Sequence, residues 1–203
     1  EVTWFYPGSG AASNNRSVTY NYMDSSPERP VWTTSSLARS AWSDSHIFGK
    51  PHATEYDSDS TSDSTVGNTD GCTTYYEHET GVNQVQIGTT SAIPANILSG
   101  DFDITQDDNR GITFRGDGEY LMKIRRFIPD FVSQTGNTQV SFTTRNYPNS
   151  TPTTTNFSIS SSTTKKDTRL RARSIALKVA NTSSNEDWKL GTFRLDVHAG
   201  GRR

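Results

Sequence analysis

The sequence has little of several features whose absence excludes whole classes of protein. Cys72 is the single cysteine among 203 residues, so an intramolecular disulfide framework and a multi-cysteine zinc site are both excluded. No stretch approaches the roughly 18 consecutive apolar residues of a membrane-spanning helix, and no basic and apolar signal segment opens the chain. We therefore expect a protein without a membrane anchor.

An excess of charge of one sign is also lacking. Lys and Arg number 20 against 22 Asp and Glu, which gives a formal net charge of -2. A protein that binds nucleic acid through bulk charge needs clustered Lys and Arg, so this balance argues against one. Hydrophobic residues are only 31% of the chain, but the 10% of aromatic residues argues against disorder. The length fits one or two domains, and because the sequence begins at Glu1 rather than Met we expect a piece of a longer polypeptide.

The pattern of hydrophobic residues has a period of two, which is typical of β-strands. Short segments rich in β-branched and aromatic residues are separated by clusters of Gly, Pro, Asn and Ser. These segments are residues 2–6, 17–22, 31–34, 74–77, 139–144 and 156–160. Signals for helices are nearly absent, so the sequence predicts an all-β protein rich in hairpins.

Two regions differ in composition, with the change between Ser91 and Asp101. Residues 1–95 form an aromatic-rich region of hairpin-sized units, whose loose repetition is typical of β-propeller blades. Residues 96–203 carry longer strands and more Arg, and we expect a second domain there. The low-complexity acidic stretch 57–71 predicts an exposed loop.

Two local patterns in the second region make sharper predictions. Residues 169–179 alternate basic and apolar side chains, but the alternation changes parity near Ser174, which predicts a bulge or a change of burial. Residues 112–114 and 120–122 flank a Gly-Asp-Gly sequence, which predicts a hairpin that joins the two segments.

No arrangement of residues in the sequence indicates catalysis or metal binding. The chain has four histidines and lacks the Gly-x-Ser-x-Gly, Ser-x-x-Lys and phosphate-binding Gly-rich patterns. Asp57, Asp59 and Asp63 superficially resemble a calcium loop, but Ser62 and Asn68 occupy the positions that need Gly and Glu. We expect no enzyme activity, no cofactor and no bound metal.

Basic residues are concentrated in the second half of the chain, whereas the first half holds the Asp-rich stretch. A contact between subunits could use such opposite charges for register and encounter. An ordinary solvated sheet face explains the same residues equally well. The candidate residues for a charged intersubunit surface are Arg125, Arg126, Arg169, Arg171 and Arg173.

Aromatic residues of the first half offer a second candidate site. Exposed aromatic rings could stack on sugars, although the simpler interpretation is that they form the cores of hairpins. The rings considered are those of Trp4, Tyr6, Trp32, Trp42, Tyr75 and Tyr76, and the candidates kept for glycan stacking are Trp32, Trp42, Tyr75 and Tyr76.

Several short segments carry a resemblance through their order along the chain. They are WFYP at 4–7, NNRSVTYNY at 14–22, VW at 31–32, LARSAWSD at 37–44, YYEHETGV at 75–82, RRFIPDF at 125–131, DWKLGTFRLDV at 187–197 and GRR at 201–203. In this order they resemble the C-terminal part of tail nozzle or tail hub proteins of short-tailed bacteriophages, which are also called packaged-DNA stabilisation proteins. The chain departs from the family's pattern at the acidic stretch 57–71 and at Arg16-Ser17, where Arg-Tyr is usual.

The resemblance implies a structural protein of the virion rather than an enzyme. It also implies that residues 1–95 form the closing blades of a β-propeller and that residues 96–203 form a β-sandwich-like C-terminal domain. Subunits of such proteins form a homo-oligomeric ring, expected here to be a hexamer, that extends the tail channel, retains packaged DNA and permits its ejection. Expected partners are a connector or adaptor, fibres or spikes, and double-stranded DNA that passes without sequence recognition. Assembly would take place in the cytoplasm of the bacterial host. The alternative is a carbohydrate- or receptor-binding β-module of a phage tail or fibre.

Overall fold

A computed structural model describes residues 1–56, 73–86, 88–107, 111–114, 116 and 118–202 of the chain. In these residues the secondary structure consists of β-strands, every strand pairing is antiparallel and no helix occurs. The predicted all-β class is confirmed. The described residues form several small sheets, and neither a propeller nor a closed sheet is found among them.

The chain divides into two compact units, Glu1–Thr80 and Gly81–Arg203, so that residues 81–95 group with the second unit. Unit 1 contains two three-stranded sheets with the strand orders β1-β2-β3 and β4-β5-β6. Its strands are β1 (Val2–Tyr6), β2 (Arg16–Ser26), β3 (Arg29–Ser35), β4 (Ala41–Ser43), β5 (His52–Tyr56) and β6 (Thr73–Glu77).

Unit 2 is built on two larger sheets, with the strand orders β15-β14-β17-β9 and β16-β12-β19. Three strand pairs accompany them, β7-β8, β10-β11 and β13-β18. The strands are β7 (Asn83–Gln86), β8 (Thr89–Ala92), β9 (Asn96–Leu98), β10 (Thr105–Asp107), β11 (Gly111–Thr113), β12 (Tyr120–Ile128), β13 (Phe131–Thr135), β14 (Asn137–Arg145), β15 (Thr153–Ser160), β16 (Lys166–Ala172), β17 (Ser174–Ala180), β18 (Asp187–Leu190) and β19 (Arg194–Arg202).

Alternation along β1, β2 and β3 gives their sheet two different faces. On one face the Phe5 ring contacts the ring of Trp42 in β4 at 5.7 Å between centroids, and the neighbouring Ser17 is buried. The opposite face carries Trp4 and Trp32, which keep 48% and 52% of their surface exposed. Unit 1 therefore covers one side of this sheet around Phe5 and Ser17 and leaves an aromatic side open.

The core of unit 2 lies between its two larger sheets, because both contribute side chains to one apolar cluster. Along β14 the alternate residues Thr138, Val140 and Phe142 have no exposed surface. Phe127 of β12 is equally buried, and its ring lies 5.3 Å from that of Phe142. The fully or nearly fully buried cluster comprises Ile104, Met122, Ile124, Phe127, Val140, Phe142, Ile159, Ala172, Ile175 and Val179.

The change of parity near Ser174 has a larger cause than a bulge. Strand β16 ends at Ala172 in one sheet, and β17 begins at Ser174 in the other. Ala172 and Ile175 both lie in the shared core, so the chain crosses between the sheets at Arg173 and presents opposite parities to the same core. The predicted change of burial is present, but the predicted bulge is a crossing between sheets.

The predicted hairpin between residues 112–114 and 120–122 is wrong. Ile112 in β11 pairs with Gln106 in β10. Met122 in β12 instead lies between Ala172 of β16 and Ala199 of β19, which occupy both edges of the strand. Burial of the alternate apolar residues of β12 thus selects its partners, and the local turn signal does not.

Candidate functional site

The five arginines predicted to form a charged surface lie on and beside the β16-β12-β19 sheet. The register places Arg171 opposite Lys123, and Lys123 in turn opposite His198. Arg125 lies at a bulge of β12 and is exposed, as is Arg169 in β16. The outward face of this sheet therefore carries basic side chains of β16 and β12, and on β19 it carries His198 in a 2.8 Å hydrogen bond with Asp196.

Arg126 forms an ion pair with a carboxylate of the neighbouring strand β16. Its Nε donates a hydrogen bond of 2.8 Å to Asp167 Oδ1. This hydrogen bond and the positive charge of Arg126 lower the pKa of Asp167 below its ordinary value. The pair is a solvated ion pair, with side chains that are 43% and 69% exposed.

Arg171 and Arg173 line one cleft of about 240 Å³, together with Leu121, Asn146 and Tyr147. Arg171 Nη2 donates to the Gly200 carbonyl at 2.8 Å, and Arg173 Nη1 donates to the Gly118 carbonyl at 2.6 Å. The Arg173 guanidinium carbon lies 5.4 Å from the centre of the Tyr147 ring. Backbone carbonyls thus orient two guanidinium groups towards one cleft, whose chemistry suits carboxylates.

Among the glycan-stacking candidates, Trp32 has aromatic neighbours on an open surface. Its ring lies 4.6 Å from that of Tyr20 and 6.1 Å from that of Trp4, with interplanar angles of 31° and 30°. The three rings belong to the exposed face of the β1-β2-β3 sheet. They form a continuous cluster of rings tilted by about 30° from one another, the aromatic platform.

Trp42, Tyr75 and Tyr76 occupy different surroundings on the β4-β5-β6 sheet. Trp42 packs between Phe5 and His78, with 4.6 Å between the Trp42 and His78 centroids. Tyr75 and Tyr76 are adjacent in β6 and so point to opposite faces. Tyr75 is 63% exposed and stacks on His52 at 5.3 Å, with its hydroxyl bonded to His52 Nδ1. The structure therefore does not bring the four candidates together on one surface.

Tyr76 belongs to a buried polar cluster around Arg39, which the sequence did not point to. Arg39 is only 6% exposed, and its guanidinium carbon lies 3.9 Å from the centre of the Tyr76 ring. Its Nη1 forms an ion pair of 3.0 Å with Glu55, and its Nε donates to His78 Nε2 at 2.9 Å. A buried charge is tolerated only when it is paired and hydrogen-bonded, and this cluster supplies both conditions.

Burial determines the ionisation of this cluster. It lowers the pKa of Arg39, an effect that Glu55 opposes, and the guanidinium stays charged at neutral pH. Burial also raises the pKa of the Tyr76 phenol, and the nearby Glu55 carboxylate raises it further. The cluster thus consists of one cation, one carboxylate, a neutral phenol and an imidazole.

His78 makes the stability of unit 1 depend on pH. Its Nε2 accepts a hydrogen bond from Arg39, so the ring must be neutral with its proton on Nδ1. Burial lowers the pKa of His78 below its ordinary value of 6.5, and the charges of Arg39 and His52 act in the same direction. Unfolded chains therefore bind a proton at this residue at a higher pH than folded chains do.

We expect unit 1 to keep its full stability above the ordinary histidine pKa and to lose stability as the pH falls below it. The loss should level off below the lowered pKa of the folded state, where both states are protonated. Urea unfolding between pH 8 and pH 5, followed by hydrogen exchange of unit 1 peptides, measures this slope. His78→Gln should flatten it, whereas the exposed His46→Gln should not. Equal slopes in the wild type and His78→Gln would contradict the assignment.

The described part of the chain contains neither a cluster of metal ligands nor a membrane-spanning helix. No group of three or more His, Cys, Asp or Glu side chains is placed there to hold a metal ion. No helix in that part is long and apolar enough to cross a membrane. The acidic stretch 57–71, with Asp57, Asp59 and Asp63, lies outside the described residues.

Comparison with known proteins leaves the assignment of function to the residues and their geometry. No protein-family model matches the chain, and no curated protein matches it in sequence.

Sequence reasoning missed two groups of side chains that the structure brings together. Arg39, Glu55 and His78 come from three separate segments, and no spacing in the sequence links them. Arg16 lies beside Tyr6, its register partner in the neighbouring strand. Alternation in β1 and β2 could have placed both residues on the aromatic face, but only once the register of the two strands was known.

Proposed function

We propose that this protein is a non-enzymatic structural component of a bacteriophage virion, a tail nozzle or tail hub subunit. It acts as a homo-oligomeric ring, a hexamer, that extends the tail channel, retains packaged DNA and permits its ejection. The order of segments shared with that family supports the proposal, as does an all-β chain built of two compact units. In this proposal, unit 1 supplies the closing strands of a β-propeller. Unit 2, with one core between two sheets, is a β-sandwich-like domain.

The observation that carries the proposal is the separation of opposite charges between the two units. The cleft of Arg171 and Arg173, with the basic face of the β16-β12-β19 sheet, lies in unit 2. The Asp-rich stretch 57–71 belongs to the sequence of unit 1. A ring uses one surface of each subunit against a different surface of the next, so unlike charges on separate units suit ring closure.

DNA takes part in this proposal as cargo of the channel rather than as a recognised ligand. The chain carries 20 basic and 22 acidic residues, a balance that allows passage without a strong grip on phosphate. The partners are the connector or adaptor above the ring and the fibres or spikes around it. The ring assembles in the cytoplasm of the bacterial host and ends in the phage tail.

Native mass spectrometry and negative-stain imaging of the natural gene product test the ring. We expect a closed ring, and we expect Arg171→Glu with Arg173→Glu to shift the population towards monomers. Arg29→Glu, in an exposed strand of unit 1, is the matched control and should leave the ring intact. A wild-type protein that stays monomeric or trimeric at micromolar concentration would overturn the proposal.

Binding of a fluorescent DNA duplex tests separately whether DNA passes through the channel without recognition. At physiological salt we expect binding no tighter than about 10⁻⁶ M, the edge of ordinary non-specific association. Tighter binding by the assembled protein would contradict passage without recognition.

A second function, a carbohydrate- or receptor-binding module of a phage tail or fibre, is favoured by one observation. The aromatic platform of Trp4, Tyr20 and Trp32 lies on an open sheet face of unit 1. A soluble monomer or trimer with affinity for glycans would favour this function over the ring.

A further inference from the structure

The aromatic platform of unit 1 continues along its sheet into a row of polar residues. Strand register places Tyr6 opposite Arg16, and Trp4 opposite Val18, which is itself opposite Thr34. Residues two apart on a strand share a face and lie about 7 Å from each other. The same face thus presents apolar rings at one end and a phenol, a guanidinium and a hydroxyl at the other.

A cleft of about 500 Å³ opens at this polar end. Its lining is one aromatic ring together with hydroxyl, amide and guanidinium groups, from Tyr6, Asn15, Arg16, Thr34, Ser35 and Ser36. Cavities that bind small molecules have this volume and combine apolar walls with a few polar groups that fix orientation. Tyr6, which forms one wall of the cleft, is 37% exposed and available for contact.

The loop between β1 and β2 holds the cleft in place. Asn15 Oδ1 accepts a hydrogen bond from the Gly8 amide at 2.7 Å, and Ala11 N donates to the Gly8 carbonyl at 3.0 Å. A side-chain carbon at Gly8 would lie 2.8 Å from Arg16 Nε, so glycine makes room for the guanidinium against the loop. The amide of Asn15 is therefore positioned before any ligand arrives, and the Arg16 side chain lies next to it against the loop.

Among the residues that the structure describes, Arg16 has no carboxylate partner. Ion pairs in the described part of the chain involve Arg39, Lys50, Arg126, Arg145, Arg194 and His198, and Arg16 is not among them. Guanidinium groups bind carboxylates through two parallel hydrogen bonds. The cleft therefore offers one positive charge to an anionic group beside a surface of aromatic rings.

We propose that this face binds an acidic oligosaccharide, with a sugar carboxylate on Arg16 in the cleft and further sugar rings on Tyr6, Trp4 and Trp32. The C–H face of a pyranose ring packs on flat aromatic rings, while its hydroxyls need the amide and hydroxyl groups that line the cleft. A platform of rings alone would suit many apolar partners, but hydroxyl and amide groups together with a cation specify a polar, anionic ligand. The site stands whether or not the protein forms a ring.

Trigalacturonic acid is the probe, and maltotriose is its neutral counterpart. Titration of the whole chain, followed by calorimetry and tryptophan fluorescence, should give saturable binding of the acid at about 10⁻³ M or tighter, with weaker binding of the neutral trimer. Trp32→Ala should weaken binding of the acid about tenfold by removing one of the three rings of the platform. Arg16→Gln should abolish the preference for the acid over maltotriose.

Two variants serve as matched controls. Tyr75→Ala removes an exposed ring from the other sheet of unit 1, and Arg29→Gln removes an exposed arginine from β3 at a distance from the cleft. Both should bind the acid as the wild type does. Circular dichroism and urea unfolding verify that each variant is folded before titration.

Four outcomes would overturn the proposal. The first two are no binding of either sugar at 10⁻² M, about a tenth of the expected affinity, and equal binding of the acid and maltotriose. The third is unchanged binding in both Trp32→Ala and Arg16→Gln. The fourth is a change of sedimentation coefficient in Trp32→Ala, which would assign the face to a contact between subunits. The ring test uses Arg171 and Arg173 instead, so failure of one proposal is visible without failure of the other.

Discussion

Replacing Phe127 with alanine is expected to destabilise unit 2 by about 3–5 kcal/mol, the cost of removing a fully buried aromatic ring. Phe127 has no exposed surface, and its ring lies 5.3–5.4 Å from those of Phe142, Phe157 and Phe193. The cavity left behind would lie between the two large sheets, where backbone strands on both sides prevent collapse.

Hydrogen exchange measured by mass spectrometry assigns this loss to a unit, since peptides of β12 and β14 should exchange faster by the corresponding factor. Phe127→Leu should cost much less because it keeps most of the volume. Val132→Ala removes a side chain that is 68% exposed and should change exchange little. Equal protection in Phe127→Ala and Val132→Ala would contradict a core at this position.

Replacing Arg39 with methionine should have the second largest effect, a loss of about 2–4 kcal/mol in unit 1. Methionine keeps the volume of the side chain but leaves the Glu55 carboxylate and the His78 Nε2 acceptor without their donor. Glu55 keeps 29% of its side chain exposed, so water offsets part of the cost.

The matched control for this substitution is Arg126→Met. It also removes an arginine from an ion pair, but both partners are solvated, with side chains 43% and 69% exposed. Urea unfolding with exchange readout should show a much smaller change for it. A double variant, Arg39→Met with Glu55→Gln, should recover part of the lost stability because no unpaired carboxylate remains. If Arg39→Met and Arg126→Met had equal effects, the cluster around Arg39 would contribute no more than a surface pair.

The strands of this protein could be predicted from local pattern, but their partners could not. Residues 2–6 and 156–160 alternate visibly, and both lie in strands, although the second strand begins earlier than predicted, at Thr153. The pairing of Met122 with Ala172 and Ala199 joins distant segments, and the turn signal near Gly118 gave no warning of it. Burial in a common core decides the partner of a strand, and burial is a property of the folded chain.

In the candidate sites, too, single residues could be predicted from the sequence but their neighbours could not. Trp32 was predicted as a candidate for stacking because exposed aromatic residues are recognisable one at a time. Its neighbours Tyr20 and Trp4 join it only through the register of three strands. The Arg39 cluster could not be predicted, because its members Glu55 and His78 meet the arginine from the neighbouring strand β5 and from the residue that follows β6.

The position of β19 has a consequence for how unit 2 is made in the cell. This strand covers one edge of β12 from Ile128, opposite Arg194, to Tyr120, opposite Arg202. During synthesis β12 leaves the ribosome long before β19. The apolar residues Met122, Ile124 and Phe127 therefore stay partly exposed until β19 has been made. Strands that are distant in sequence pair slowly. Until they pair, the edge of β12 is unpaired and prone to aggregation. Unit 2 should therefore depend on chaperones while it is being translated, and a chain that stops before residue 194 should aggregate.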